Sequence, residues 1–211
     1  MRLVLASNNA KKLTELQALF EPVGLTLVKQ GDLGISESEE PHRTFVENAL
    51  VKARHAAKAS GGPAISDDSG LCVDALGGMP GVISAHFADV EAAARSLPRE
   101  ELRARQDAAN NALLLQRMQG VADRRARFVS ALVAVRSADD PEPLIAFGRW
   151  NGEILTALRG EGGFGYDPLM FIPGLDKTVA ELTAEVKNRH SHRAIAAAQM
   201  LAFMREVWHL G

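Results

Sequence analysis

An α/β fold is what this chain predicts, and three observations predict it. A short apolar run, Arg2 to Ala6, passes through polar residues into a helical pattern. A second apolar run, Leu25 to Val28, precedes a second amphipathic helix, and strand-like apolar runs recur near Ile65 and from Leu71 onward. Short strands alternating with helices bury their apolar faces against each other in an α/β layer structure. With 211 residues, 46% of them hydrophobic, the chain can bury a sizeable core. That length favours a single domain over 1–211, with two lobes as its alternative form.

Charge and cysteine usage narrow the function classes. The 24 Lys and Arg nearly balance the 26 Asp and Glu. No global basic field points to polymeric nucleic acid or an anionic membrane, so any anion binding must come from local clusters. The single cysteine, Cys72, excludes an internal disulfide and a cysteine-built zinc site and is compatible with a reducing cytoplasm. Met1 to Ala6 is too short an apolar run for a signal peptide, and no stretch reaches membrane-spanning length.

Arg2 to Ala6 is expected as the first strand. Ser7, Asn8 and Asn9 supply capping side chains, and Leu13, Leu16, Leu19 and Phe20 mark the helix that follows. A strand, a polar turn and a helix start form a phosphate-binding layout, because unpaired amides and the helix dipole favour an anion there. Lys11 and Lys12 in the first turn oppose that dipole, which hints at a bound anion; ordinary capping with solvated lysines is the alternative. After the second strand comes a loop, Gly31 to Pro41, carrying Glu37, Glu39 and Glu40. Thr44-Phe45-Val46-Glu47 is then a capping box, and Phe45, Ala49, Ala53, Ala56 and Ala57 form one face of a helix reaching about Ser60, with Lys52 off that stripe.

Ala64 to Asp74 is the segment around which the chain is arranged. Ile65 ends a buried strand, Leu71 and Val73 begin another, and Ser66-Asp67-Asp68-Ser69-Gly70 reads as a turn between them. Adjacent residues on extended chain face opposite ways, so only one aspartate is expected to meet a given ligand. A carboxylate there, joined by one from the acidic loop, suits Mg²⁺; an Asx-turn without chemistry is the alternative.

Gly77-Gly78-Met79-Pro80-Gly81 is a glycine loop, and the chain resumes from Val82 to Phe87. Glu91 to Met118 reads as two helices broken near Leu97-Pro98, with no role in the chemistry. Arg127 to Val135 and Leu144 to Trp150 are expected as strands joined by a hairpin loop at Ser137 to Pro143. Gly160 to Gly165 contains G-x-G-x-x-G, but Asp167-Pro168 and the strand-like Leu169 to Ile172 follow at once, so it does not open a helix as a dinucleotide fingerprint must. The glycines instead present Phe164 and Tyr166, suited to stacking on a planar ligand or to packing. From Thr178 the chain is expected to be helical with a Glu181/Glu185 pair. Lys187 to Arg193 is the densest positive run; it suits a nucleotide, and a solvated loop is the alternative. His190 and His192, two apart, do not share a metal on a helix.

Taken together, Ser7-Asn8-Asn9-Ala10-Lys11-Lys12, Thr44 to Ala49 with Lys52-Ala53, Ser66 to Leu71, Gly77 to Gly81, Gly163 to Pro168, and Ser191-His192-Arg193 with Lys187 upstream resemble the inosine triphosphate pyrophosphatase family, the house-cleaning dITP/XTP pyrophosphatases. The likeness runs nearly end to end. It implies an elongated, two-lobed α/β fold on a long central mixed sheet, with the site in the cleft between lobes. It implies a cytoplasmic homodimer that hydrolyses ITP, dITP and XTP to monophosphate and pyrophosphate with Mg²⁺. By matching position, Asp68 is the general base and a metal ligand, Glu39 the second acidic ligand, and Ser69 a substrate contact. Ser7, Asn8, Asn9, Ala10, Lys11, Lys12 and Lys52 face the phosphates. Phe164, Gly165, Tyr166, Asp167, Lys187, His192 and Arg193 form the nucleoside pocket. Departures from the pattern are His86 where relatives carry arginine, Leu113 where lysine is frequent, and a longer segment from Ala88 to Leu115.

Other classes fit less well. Asp67-Asp68 lacks the Asp-x-Asp spacing of a haloacid-dehalogenase hydrolase, and Gly-x4-Gly-Lys-Ser/Thr is absent. A nucleotide-sensing module without turnover needs phosphate donors more than it needs two further carboxylates.

Overall fold

The computed structural model describes residues 1–90 and 97–210. Among the described residues seven strands form one sheet: β1 (Arg2–Leu5), β2 (Thr26–Lys29), β3 (Ala64–Val73), β4 (Arg125–Val135), β5 (Leu144–Ile154), β6 (Met170–Ile172) and β7 (Lys177–Thr178), in the order β2-β1-β3-β4-β5-β6-β7. The sheet is mixed, since β1 runs parallel to β2 and β3 whereas β5–β6 and β6–β7 are antiparallel. Among the described residues five α-helices accompany it: α1 (Ala10–Phe20), α2 (Phe45–Ser60), α3 (Arg99–Arg117), α4 (Ala184–His190) and α5 (His192–Val207). The α/β expectation is met. The chain divides into two compact units, Met1–Ser69 with Val129–Arg149 and Asn188–Gly211, and Gly70–Phe128 with Trp150–Lys187.

In the first unit the strand alternation separates two cores. Leu3, Leu5, Leu132 and Ala134 pack with Leu16, Phe20, Ala196, Met200 and Met204, while Val4, Ala6, Val133 and Val135 pack with Ala49, Ala53, Ala56 and Ala57. Successive strand residues point to opposite faces, so this central sheet is covered on both sides. Each fully buried leucine or phenylalanine there contributes about 1.5–3 kcal/mol. In the second unit Leu71, Val73, Leu114, Met118, Phe128, Trp150, Leu169 and Met170 form a separate core.

Several local expectations are corrected. No turn interrupts Ser66 to Gly70: β3 is one strand of ten residues. Asp-Ser-Gly makes a turn when its side chains bond locally, but here Asp67 is taken by distant partners and Ser66 donates to Ala49 O at 2.5 Å, locking β3 onto α2. Gly70 serves close approach rather than a bend, because a Cβ would collide with Gly81 O and Ser84 Oγ. The helix expected from Thr178 begins at Ala184. Glu181 folds back onto the Thr178 N–H at 2.7 Å and pairs with Arg159 Nε at 2.8 Å, closing a short 3-10 turn and leaving Glu185 on another element. Thr44 does cap α2, accepting from Glu47 N–H, but Glu47 answers the Thr44 hydroxyl at 2.5 Å in place of a backbone amide. Val82 to Phe87 is mostly a 3-10 segment, Gly81–His86. Of the two helices expected over Glu91 to Met118, the second is α3, and the first falls largely on 91–96, outside the described residues.

Candidate active site

Within the first unit, β3, α1, α2 and α5 bring charged side chains to one buried cluster. Asp67 and Asp68 are both buried and take different partners, as extended chain requires. Asp67 Oδ1 accepts from Ser130 Oγ at 2.6 Å, and its Oδ2 accepts from Lys12 Nζ at 2.9 Å, Arg193 Nε at 3.1 Å and Ser69 Oγ at 3.0 Å. Asp68 Oδ1 accepts from Lys52 Nζ at 2.7 Å, while its Oδ2 is buried with no hydrogen-bond partner among the described residues. Both ammonium groups, Lys12 Nζ and Lys52 Nζ, also donate to the Asp67 carbonyl at 3.3 Å.

The electrostatics separate the two carboxylates. Burial pushes Asp67 up, but Lys12, Arg193 and the Ser130 hydroxyl outweigh it and hold the group well below the usual carboxylate range. Burial dominates at Asp68, and despite the opposing pull of Lys52 its pKa rises to about 6. For Lys52, burial is outweighed by Asp68 and Glu40, and its pKa is raised. Burial wins at Lys12: Asp67 only partly offsets it, Arg193 and Lys52 repel it, and its pKa falls.

The phosphate-facing stretch is arranged differently from expectation. Asn9 Oδ1 caps α1 by accepting from Lys11 N–H at 3.0 Å and Lys12 N–H at 3.3 Å, and Ser7 Oγ accepts from Asn9 N–H at 3.1 Å. Those three amides are therefore occupied, and the anion-binding capacity of this segment rests on Lys12, whose side chain enters the cluster. Lys11 is exposed, and Ala10 is merely the first residue of α1. Asn8 fastens the acidic loop, donating to Glu37 at 3.0 Å and accepting from Gly31 N–H at 2.9 Å. Glu39 is exposed; its neighbour Glu40 reaches Lys52 Nζ at 3.1 Å. Arg193 is fully engaged, through Asp67, Glu15 Oε2 at 2.8 Å and Ser69 Oγ at 2.8 Å, and His192 is buried at the start of α5. Lys187, Ser191, His192 and Arg193 are all buried, which overturns a solvated loop.

Within the second unit, Asp167 Oδ2 accepts from Phe164 N–H at 3.0 Å and from Lys187 Nζ at 2.8 Å, and Lys187 Nζ stands 4.7 Å from the Phe164 ring centroid. Gly163 is required, since a Cβ would strike the Asp167 carboxylate. Tyr166 is not displayed for stacking: it is a core residue, and its hydroxyl donates to Ser84 O at 2.9 Å. Phe164 is the half-buried aromatic of the pair.

Glu15, Glu40, Asp67 and Ser130 belong to the first cluster and were not assigned from sequence. Asp67 carried a signal in its adjacency to Asp68 and Glu40 in its place in the acidic loop; Ser130 lies 63 residues from Asp67, and Glu15 pairs with Arg193 across 178 positions.

A family model described as the Ham1 family matches residues 3–203. A dITP/XTP pyrophosphatase from Leptothrix cholodnii is 71% identical over 211 residues, covering 100% of both chains. One from Methylibium petroleiphilum is 70% identical, covering 99% of each. Among solved structures, a HAM1 protein from Coxiella burnetii superposes with a TM-score of 0.85 at 38% identity, covering 98% of this chain and 100% of that one. With a matching family model over nearly its whole length, close relatives end to end and the same fold, the chain belongs to the Ham1 family.

Proposed function

We propose that the chain hydrolyses nonstandard purine nucleoside triphosphates, ITP, dITP and XTP, to the monophosphate and pyrophosphate. Relatives at 71% and 70% identity bear the name dITP/XTP pyrophosphatase. The observation that carries the reading is the convergence of Lys12 and Lys52 on one buried carbonyl, Asp67 O, beside a carboxylate with an open oxygen. Two ammonium groups at close quarters repel each other, and a bound polyphosphate relieves that repulsion.

The water oxygen bonds to the α-phosphorus, and the bond from that phosphorus to the bridging oxygen breaks, releasing pyrophosphate. Asp68, whose pKa rises to about 6 in the metal-free protein, is placed to orient the attacking water and accept its proton, and a bound cation would lower that pKa. Lys12 and Lys52 neutralise charge on the departing pyrophosphate. Asp67 stays ionised and orients Lys12 and Arg193, and so keeps the lysine aimed without becoming a base.

The donor set fits a divalent cation. Asp68 Oδ2 is a buried, unpartnered hard oxygen, and Glu40 meets the same lysine as Asp68. Asp68 and Glu40 would hold Mg²⁺, with Glu39 as the adjacent ligand that the resemblance implies. When bound, Mg²⁺ supplies positive charge to the phosphate oxygens. Phe164 offers the base a stacking face, Asp167 and Lys187 hold that loop, and His192 reads the 6-oxo edge. The proposal extends to residues 1–211 acting as one catalytic domain, in a cytoplasmic homodimer. Among the described residues no helix is long and apolar enough to cross a membrane.

Pyrophosphate release from ITP, XTP, dITP, GTP and ATP with Mg²⁺ tests the reading. Preference for the first three, with monophosphate as co-product, supports it; release of orthophosphate, or binding without turnover, overturns it.

A further inference from the structure

Helix α3 lies in the stretch to which the sequence assigned no role. Its polar residues Asp107, Asn110 and Asn111 sit one turn apart on an alanine- and leucine-rich helix, and both asparagines are buried. Asparagine weakens a helix by competing for backbone hydrogen bonds, so two buried ones need partners elsewhere. Their amide nitrogens have them within the second unit. Asp107 Oδ2 accepts from Gly165 N–H at 2.9 Å, and Asn111 Nδ2 donates to Gly165 O at 2.9 Å. Asn110 Nδ2 donates at 3.2 Å to Ser84 O, the same carbonyl that accepts from Tyr166.

Gly165 has φ of +61°, so the loop turns at a residue in the left-handed region. Both backbone polar groups of that residue are tied to one helix. Its predecessor Phe164 has its N–H on Asp167, and its successor Tyr166 is anchored in the core. Three consecutive residues are thus held from three directions, which fixes where the half-buried Phe164 side chain leaves the backbone, and Lys187 Nζ lies 4.7 Å from its ring centroid. A carboxylate acceptor makes a charge-assisted bond to an amide, stronger than a neutral acceptor provides.

We propose that Asp107, with Asn111 as its complement, is a positioning residue for the purine base: it clamps Gly165 and so presets the ring of Phe164 for stacking. The inference rests on the functional reading above, in which Phe164 meets the base. Ordering the loop in the free protein removes a cost that the ligand would otherwise bear.

The test uses the full chain and compares ITP turnover with inhibition by inorganic tripolyphosphate, a probe with no base to stack. Asp107→Ala should raise KM for ITP roughly tenfold, the loss expected for a hydrogen bond to a charged group. Its kcat should stay within about twofold, and the tripolyphosphate inhibition constant should not change. Asp107→Asn should restore most of the KM. In a Phe164→Ala background, Asp107→Ala should add little, because the two act through one ring. An unchanged KM, an equal rise in the tripolyphosphate constant, or full additivity with Phe164→Ala overturns the inference. If Asp107→Ala fails to fold, Asn111→Ala carries the same comparison with a smaller expected rise. A wild type that releases no pyrophosphate from ITP refutes the functional reading and this inference with it; a wild type that turns ITP over while Asp107→Ala keeps its KM refutes the inference alone.

Discussion

Lys52 Nζ lies 2.7 Å from Asp68 Oδ1, and the second oxygen of that carboxylate is buried without a partner among the described residues. Burial raises Asp68 to about 6 and the lysine opposes it, so the two effects can be separated experimentally. In the metal-free protein the Asp68 carboxyl carbon should titrate near pH 6 by ¹³C NMR. Removing the nearest cation in Lys52→Ala leaves burial opposed only by the weaker pull of Lys12 and should move the midpoint higher. A midpoint at or below the ordinary value of 3.8, or a downward shift in Lys52→Ala, contradicts this account of the site. Asp68→Asn should reduce turnover by at least about 10²-fold, in the range for a lost acid–base group, while leaving the far-ultraviolet spectrum unchanged.

Asp67 balances two buried cations, Lys12 and Arg193. Asp67→Ala should cost about 3–5 kcal/mol of stability, the range for breaking a buried ion pair and stranding its partner charges. Urea unfolding at pH 7 measures it. A loss under about 1 kcal/mol would show that Glu15 alone satisfies Arg193 and that Lys12 finds water.

Glu39 and Glu40 are adjacent, and only Glu40 is seen to reach Lys52. Glu40→Gln should raise the Mg²⁺ concentration needed for half-maximal turnover roughly tenfold, as for loss of a charged ligand, and Glu39→Gln should raise it less. The reverse order, read from Mg²⁺ titrations of the two variants, returns the ligand role to Glu39.

Stacking tolerates any purine, whereas a donor to the 6-position does not. Phe164→Ala should lower kcat/KM for ITP, XTP and ATP by a similar factor, corresponding to about 1–3 kcal/mol. His192→Ala should shrink the ITP/ATP ratio, because adenine lacks the 6-oxygen that the imidazole would meet. Equal losses on both substrates would mark His192 as a packing residue of α5.

The first half of the first unit was legible because its signals are local. Asn9 and Thr44 cap the helices that begin at the next residue by accepting from amides two or three positions on, and the apolar spacing from Leu13 to Phe20 and from Ala49 to Ala57 faces a buried sheet. The turn expected at Ser66 to Gly70 failed for the opposite reason: the partners of Asp67 come from α1, β4 and α5, and the constraint on Gly70 comes from Gly81 and Ser84. Thr178 misled in the same way, because Glu181 closes a short 3-10 turn there. Lys12, Lys52, Ser69 and Arg193 all meet at Asp67, and Arg193, expected in a nucleoside pocket, pairs instead with Asp67 and Glu15. Tyr166 is not displayed, since a glycine frame shows that a loop bends and not which of its two aromatics turns inward. Asp107 and Asn111 were invisible, because nothing along α3 names the glycine they hold, more than 50 positions away.

The bond from Arg193 to Asp67 spans 126 residues of sequence. Synthesis is directional, so a nascent chain exposes Lys12, Lys52 and both aspartates long before the guanidinium that completes their charge balance has left the ribosome. Fragments ending between residues 69 and 192 carry Lys12, Lys52 and both aspartates and still lack one of the two cations that hold Asp67 as an anion. A chain cut short of Arg193 therefore leaves Lys12 as the one cation on the Asp67 carboxylate, with part of its charge unbalanced.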